Sequence, residues 1–316
     1  MLSRTADHLY WMARLMERAE NLARMLDTSH RVSLMPQGGD GSPDSTWASL
    51  LANMGLEEAY ADQYGALNAA SMLDFMIFAP ENPSSIFNCL RGARENAHAV
   101  RGTLTSEVWE AANATWLAMR ELNLASLMER GPGEFFDWVK YRSHLSRGAA
   151  LGTMMQDEGL RFMRLGTFLE RADNTARILD TKFRTLPVET ELEAPAPDYY
   201  PWSALLHSVS AFEIYRKVYR DLISPQRVAE LLVLRPDMPR SLSRCMREVY
   251  INLQALANRS SAETERRAGE LEAELRFARI EDIVGGGLPV WLDSFLDRIA
   301  DLGTRIADDF LVPVPR

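Results

Sequence analysis

The chain has 316 residues, 47% of them hydrophobic and 25% charged, with 18 glycines and 15 prolines; these ordinary globular proportions exclude disordered, collagen-like and disulfide-rich classes. Lys and Arg number 35 against 44 Asp and Glu, a net charge of −9, which argues against a uniform nucleic-acid-binding surface and leaves a local Arg cluster open. The two cysteines, Cys89 and Cys245, make neither a disulfide framework nor a four-thiolate zinc site, and no apolar run reaches the roughly 18–20 residues of a membrane span.

The chain opens with Met1-Leu2-Ser3-Arg4-Thr5-Ala6-Asp7, which lacks the apolar core of a signal peptide, so a cytoplasmic protein without a membrane segment is expected. A strongly periodic helix is predicted over residues 5–31, with Leu15, Ala19, Leu22 and Leu26 at helical spacing. At 100° per residue, Glu17, Asn21, Arg24 and Thr28 form a polar stripe, flanked by Glu20 and Asp27. A loop rich in Gly and Pro follows at 35–43, then a helix led by Trp47, a second ending near Pro80-x-x-Pro83, and a third opening at Ser85. Within the third, Glu95-Asn96-Ala97-His98 has the Glu-x-x-His spacing of carboxylate-bridged metal bundles.

The same plan then returns. A periodic helix is predicted over 160–184, followed by a proline-rich acidic loop over 186–201 that reads as a lid, a partner-docking strip or a plain connection. Next come a Trp202-led helix, a Pro236-x-x-Pro239 stop and a helix opening at Ser241. Residues 263–282 read as a solvated amphipathic helix, and Gly285-Gly286-Gly287 before Pro289 as a helix-ending turn. Trp47, Trp202, Tyr60 and Tyr215 read as core anchors, and the methionines as gap-fillers.

The correspondence extends to identities. Glu17-Arg18-Ala19-Glu20-Asn21-Leu22-Ala23-Arg24-Met25-Leu26-Asp27-Thr28 matches Glu170-Arg171-Ala172-Asp173-Asn174-Thr175-Ala176-Arg177-Ile178-Leu179-Asp180-Thr181 at nine of twelve positions, at an offset of 153. Trp47, Leu50, Leu51, Glu58 and Tyr60 match at an offset of 155, and Pro80, Pro83, Ser85, Cys89 and Arg91 at 156. The expected architecture is all-α: one compact bundle from a tandem duplication of a unit of roughly 155 residues, the units being 1–153 and 154–316. Packing about an approximate two-fold axis would bring the Glu-Arg helices face to face. The position equivalents of Glu95 and His98 are Ile251 and Gln254, which bind no metal, so no metal and no cofactor are expected. Cys89 and Cys245 read as small buried hydrophobes rather than a redox pair.

Glu17 and Arg18 point about 100° apart on their helix and cannot pair with each other, so they face different partners or pair across to the other copy. Three readings of the stripe stay open. It is a solvated face supported by Glu20–Arg24 and Asp173–Arg177 pairs, a buried inter-repeat salt-bridge network, or a functional site. In the functional reading Glu17, Arg18, Glu170 and Arg171 carry catalysis, with Glu17 or Glu170 as general base. Arg24 and Arg177 then join Arg18 and Arg171 in clamping a carboxylate or phosphate, and Asn21 and Asn174 complete the binding set. The sequence leaves open whether the protein is an enzyme, and a homo-oligomer is compatible with it.

The run Leu9-Tyr10-Trp11-Met12-Ala13-Arg14 leading into Glu17-Arg18-Ala19-Glu20-Asn21, echoed at Glu170-Arg171-Ala172-Asp173-Asn174, resembles the alpha-E domain family. Ala93-Arg94-Glu95-Asn96-Ala97, Trp109-Glu110 and Pro239-Arg240-Ser241 extend the resemblance along essentially the whole chain. It implies an all-helical bacterial domain associated with a circularly permuted ATP-grasp protein and with transglutaminase-like proteases. A role in peptide synthesis or modification beside an ATP-grasp ligase and a transglutaminase-like partner follows as an expectation, with no established reaction. The alternative is a non-enzymatic helical scaffold in which the same residues hold the two halves together.

Overall fold

A computed structural model describes residues 1–34, 43–186, 192–194, 196 and 199–312. Residues 35–42 of the first loop and 187–191, 195, 197 and 198 of the second lie outside them, and so does half of the segment read as a lid or docking strip. The helices are α1 (Ser3–Ser33), α2 (Pro43–Met54), α3 (Glu57–Ala61), α4 (Ala69–Ile77), α5 (Ile86–Ala99), α6 (Ser106–Arg120), α7 (Leu124–Arg130) and α8 (Pro132–Thr153). They continue as α9 (Glu158–Arg184), α10 (Tyr199–Ser208), α11 (Phe212–Tyr219), α12 (Pro225–Val233), α13 (Leu242–Leu256), α14 (Ala262–Phe277), α15 (Ile280–Gly285) and α16 (Leu288–Phe310). Among the described residues there is no strand, and no helix is long and apolar enough to cross a membrane.

Local chemistry explains most boundaries. Asp157 caps α9, its side chain accepting from the N–H groups of Gly159 and Leu160. Ser85 and Ser241 cap α5 and α13 in the same way, accepting from Asn88 and Arg244. Both Trp-led helices end in one turn: Leu56 N–H bonds Leu51 O and Gly55 N–H bonds Ala52 O, as Ala211 N–H bonds Leu206 O and Ser210 N–H bonds His207 O. The left-handed residue of this turn is Gly55 (φ 62°) in one place and Ser210 (φ 54°) in the other. The predicted single helix over 263–282 is broken: the chain is extended at Ala278 (ψ 152°) and restarts as α15. Leu271, Leu275 and Ile280 are all buried, and the break lets apolar residues on both sides of it reach the core.

The two long helices occupy the centre. α1 packs most extensively on α9 and α5 and also touches α8, α10 and α2. α9 packs in turn on α13 and α16. α6 bridges α5 and α8, and α14 bridges α13 and α16, so the neighbours of α1 and of α9 follow one scheme. The α1–α9 approach is close: a Cβ built on Gly166 would stand 2.3 Å from the Tyr10 carbonyl oxygen, which only glycine allows. Trp47, Trp202, Tyr60 and Tyr215 are buried anchors, as expected from the sequence.

Candidate functional site

A helix surrounded on every side by other helices has no solvent face for its polar stripe. Glu17 (1% exposed), Glu20 (0%) and Asn21 (3%) on α1, and Glu170 (6%) and Arg171 (7%) on α9, are buried. The solvated-face reading is therefore overturned for these residues, because α5, α8, α9 and α10 enclose α1. Arg18, Arg24, Thr28 and Asn174 are partly buried, and Arg177 is half exposed and paired with Asp173 at 2.9 Å.

Buried carboxylates must be fully paired, and arginines from four segments do this. Glu17 accepts from the Arg171 fork (Nε 2.9 Å, Nη2 2.8 Å), from Arg147 Nη1 on α8 at 2.8 Å and from Arg240 Nη1, just before α13, at 3.0 Å. Glu20 accepts from Arg240 Nη2 (2.6 Å), Arg24 Nε (2.9 Å) and Ser143 Oγ (2.7 Å), and its Oε2 lies 2.5 Å from Arg147 Nη1. Arg240 also donates to Asn21 Oδ1 at 2.6 Å. Its backbone is fixed from α9, because Thr175 Oγ1 donates to Arg240 O (3.0 Å) and Arg171 Nη1 to Pro239 O (3.3 Å).

The reciprocal pair lies on the other side of the seam. Arg18 donates to Glu170 through Nε (2.5 Å) and Nη2 (3.0 Å), and Arg14 Nε adds a bond at 2.7 Å. Glu17 and Arg18, neighbours in sequence, thus both pair across to α9, each with the opposite member of the Glu170-Arg171 pair. Arg24 Nη1 donates to Ser210 Oγ at 2.6 Å. Ser210 holds a left-handed conformation that glycine adopts more readily, as Gly55 does in the matching turn. Its hydroxyl is a second anchor for Arg24, beside Glu20.

Burial pushes the Glu17 carboxyl up, but Arg171, Arg240 and Arg147 outweigh both burial and the neighbouring Glu20 and hold it below its ordinary value. Glu20 is held well below, with Arg240, Arg147 and Arg24 overcoming burial, and Arg14 and Arg18 do the same for Glu170. Arg240 is shifted down by burial, reinforced by Arg171 and Arg24, as expected where cations crowd. His144 is also shifted down, first by burial and then by Arg147, Arg24 and Arg240 against Glu20. Its Nδ1 lies 2.7 Å from Arg147 Nη2.

The eight residues read from the sequence as a site divide among three cavities. Glu17 and Arg171 line one of about 350 Å³ between α1, α8, α9 and α13, together with Arg147, Arg164 and Arg244. Arg18, Asn21, Glu170, Asn174 and Arg177 line a second, of about 230 Å³. Arg24 lines a third, of about 470 Å³, with Lys140, Tyr199, Tyr200 and His207. Sequence reasoning missed Arg147 and Ser143, and quoted Arg14 and Arg240 without assigning them a role. Arg14 sits one helical turn before Arg18, a signal that was available; Arg147 and Ser143 carry no local signal.

The remaining candidates fall elsewhere. Glu95 and His98 are exposed on α5; Glu95 pairs with Arg94, and His98 lies against Trp109. No group of three or more His, Cys, Asp or Glu side chains is placed to hold a metal among the described residues. Cys89 and Cys245 are free and buried, each thiol pushed up to about 12 by burial, and each lies near a different Glu–Arg pair.

A family model described as a predicted alpha-helical domain with a conserved ER motif matches residues 1–311. Uncharacterized proteins of Mycobacterium bovis and of two Mycobacterium tuberculosis strains, CDC 1551 and H37Rv, are each 25% identical to the chain over 331 residues. The match covers 96% of this chain and 36% of theirs, so the chain spans about a third of the length of the curated relatives it matches. No solved structure matches it.

Proposed function

The chain belongs to the Alpha-E family, and from that premise we propose that it is a ligand-binding component of a bacterial peptide-synthesis or peptide-modification system working with an ATP-grasp ligase. Its ligand bears a carboxylate or phosphate and is held at the α1–α9 seam. The family resemblance supports the partnership. One observation carries the ligand: Arg24, Arg147, Arg164, Arg171, Arg240 and Arg244 make their ion pairs, among the described residues, with only Glu17, Glu20 and Glu248. Six guanidiniums against three carboxylates leave a half-buried positive surplus in a protein of net charge −9. Arg is the side chain best suited to forked recognition of such anions.

In this reading Glu17 and Glu170 are counter-charges that orient the arginines. Carboxylates held below their ordinary pKa and saturated by guanidiniums are poor general bases. Arg18, Asn21, Asn174 and Arg177 line the opposite side of the same seam. Titration of the full chain with inorganic phosphate is expected to raise the melting temperature in a saturable way. Arg147→Gln should weaken that binding by about tenfold or more, the effect of losing one charge-assisted hydrogen bond. If phosphate does no more than chloride at equal ionic strength, the reading is wrong.

A second reading, the non-enzymatic scaffold, is favoured by the saturation of Glu17 and Glu170 by arginines of other helices. It predicts that Arg147→Gln changes stability alone.

A further inference from the structure

We infer that the cavity between α1, α8, α9 and α13 binds an amphipathic anion, a phosphate or carboxylate head on an apolar body. This rests on the anion reading above and adds where the ligand sits and what the rest of it is. Arg147, Arg164, Arg171 and Arg244 line this cavity of about 350 Å³ beside one carboxylate, Glu17. All four are held from behind, Arg147 and Arg171 by Glu17, and Arg164 (2.5 Å) and Arg244 (2.6 Å) by Glu248. The guanidinium array is thus rigid before any ligand arrives, which lowers the cost of ordering it on binding.

Arg164 gives Nη2 to Glu248, while its Nε is buried with no acceptor among the described residues. A buried donor without an acceptor is unfavourable, so the Glu248 pair alone leaves the Arg164 guanidinium incompletely satisfied. Apart from Ser146 and Thr167, the rest of the lining is apolar, with Met16, Leu151, Leu160, Met163 and Phe168 as its larger members. Leu151 is 57% exposed, so the apolar wall continues to the rim. A bare inorganic anion leaves that wall wet, and a hydrocarbon alone leaves the arginines uncompensated; a molecule with both parts satisfies both. The other two cavities lined by the stripe residues lack this combination. Glu170 and Asp173 offset Arg18 and Arg177 in the smaller one, and Asp27 and Glu213 stand among the cations of the larger.

The test is isothermal titration calorimetry of the full chain with inorganic phosphate, hexyl phosphate, acetate, hexanoate and hexanol. Hexyl phosphate or hexanoate should bind at least about tenfold more tightly than its bare head group, and whichever gains more identifies the head. Leu151→Ser should cut the gain from the alkyl chain by about threefold or more. Arg164→Gln should weaken hexyl phosphate by at least about tenfold. If hexyl phosphate binds no better than phosphate, and hexanoate no better than acetate, the amphipathic inference falls while the anion reading stands. Hexanol binding as tightly as hexyl phosphate, or an Arg164→Gln protein of native affinity, also overturns it. If no anion binds, both inferences fall.

Discussion

Glu17 accepts four hydrogen bonds from three guanidiniums while only 1% exposed. Removing its charge leaves Arg147, Arg171 and Arg240 facing one another in a low-dielectric seam. Breaking a buried pair from one side costs about 3–5 kcal/mol, so Glu17→Gln should lower the unfolding free energy by about that much in denaturant titration. The pH dependence follows from the same shifts. Glu17, Glu20 and Glu170 lie below the ordinary 4.5 when folded, so the unfolded chain takes up protons first as acid is added. Their stabilisation is complete above about pH 5.5 and declines as pH falls through 4.5 toward the lower folded values. A stability profile flat from pH 6 down to about pH 3.5 would contradict the charged network. Ser210 shows the same priority at the level of backbone, since a serine stands in the left-handed conformation where its hydroxyl accepts from Arg24.

At the scale of elements, what fixes α1 on α9 is a close backbone approach. Gly166→Ala would press a methyl group against the Tyr10 carbonyl oxygen at 2.3 Å, backbone that has little room to give. Overpacking of this kind costs about 1–3 kcal/mol, of which helix propensity returns up to about 1 kcal/mol. Net destabilisation is expected. Gly148 on α8 faces open space, so Gly148→Ala should instead stabilise by up to about 1 kcal/mol. Opposite signs in paired thermal melts would confirm the contact; stabilisation by both would show that α1 and α9 can separate at no cost. The break between α14 and α15 was not legible in the sequence, because charges of both signs run through 263–282 and the glycine of that run, Gly269, lies inside α14, with no proline or glycine near Ala278.

For the whole molecule, we propose that residues 1–153 and 154–316 are two copies of one unit. The offset identities support this, as do the matching turns at Gly55 and Ser210 and the parallel contact schemes of α1 and α9. Neither unit encloses its own long helix, since α9 covers one side of α1. Residues 1–153 expressed alone should therefore lack a cooperative unfolding transition, and a sharp calorimetric peak from that fragment would refute the prediction.

The sequence by itself determined the all-helical class, the two long helices and the residues of the polar stripe, because periodicity, capping serines and proline stops act over a few residues. It also showed that Glu17 and Arg18 could not pair with each other, a consequence of the 100° helical step. Only the tertiary structure decided that Arg18 meets Glu170 and Arg171 meets Glu17, and that Arg147 and Arg240 join from 130 and 223 residues away. Which cations reach a buried carboxylate depends on how helices distant in sequence dock. Burial likewise turned a stripe that looks solvated in isolation into a seam whose carboxylates are saturated by arginines, because a helix's environment is set by its neighbours.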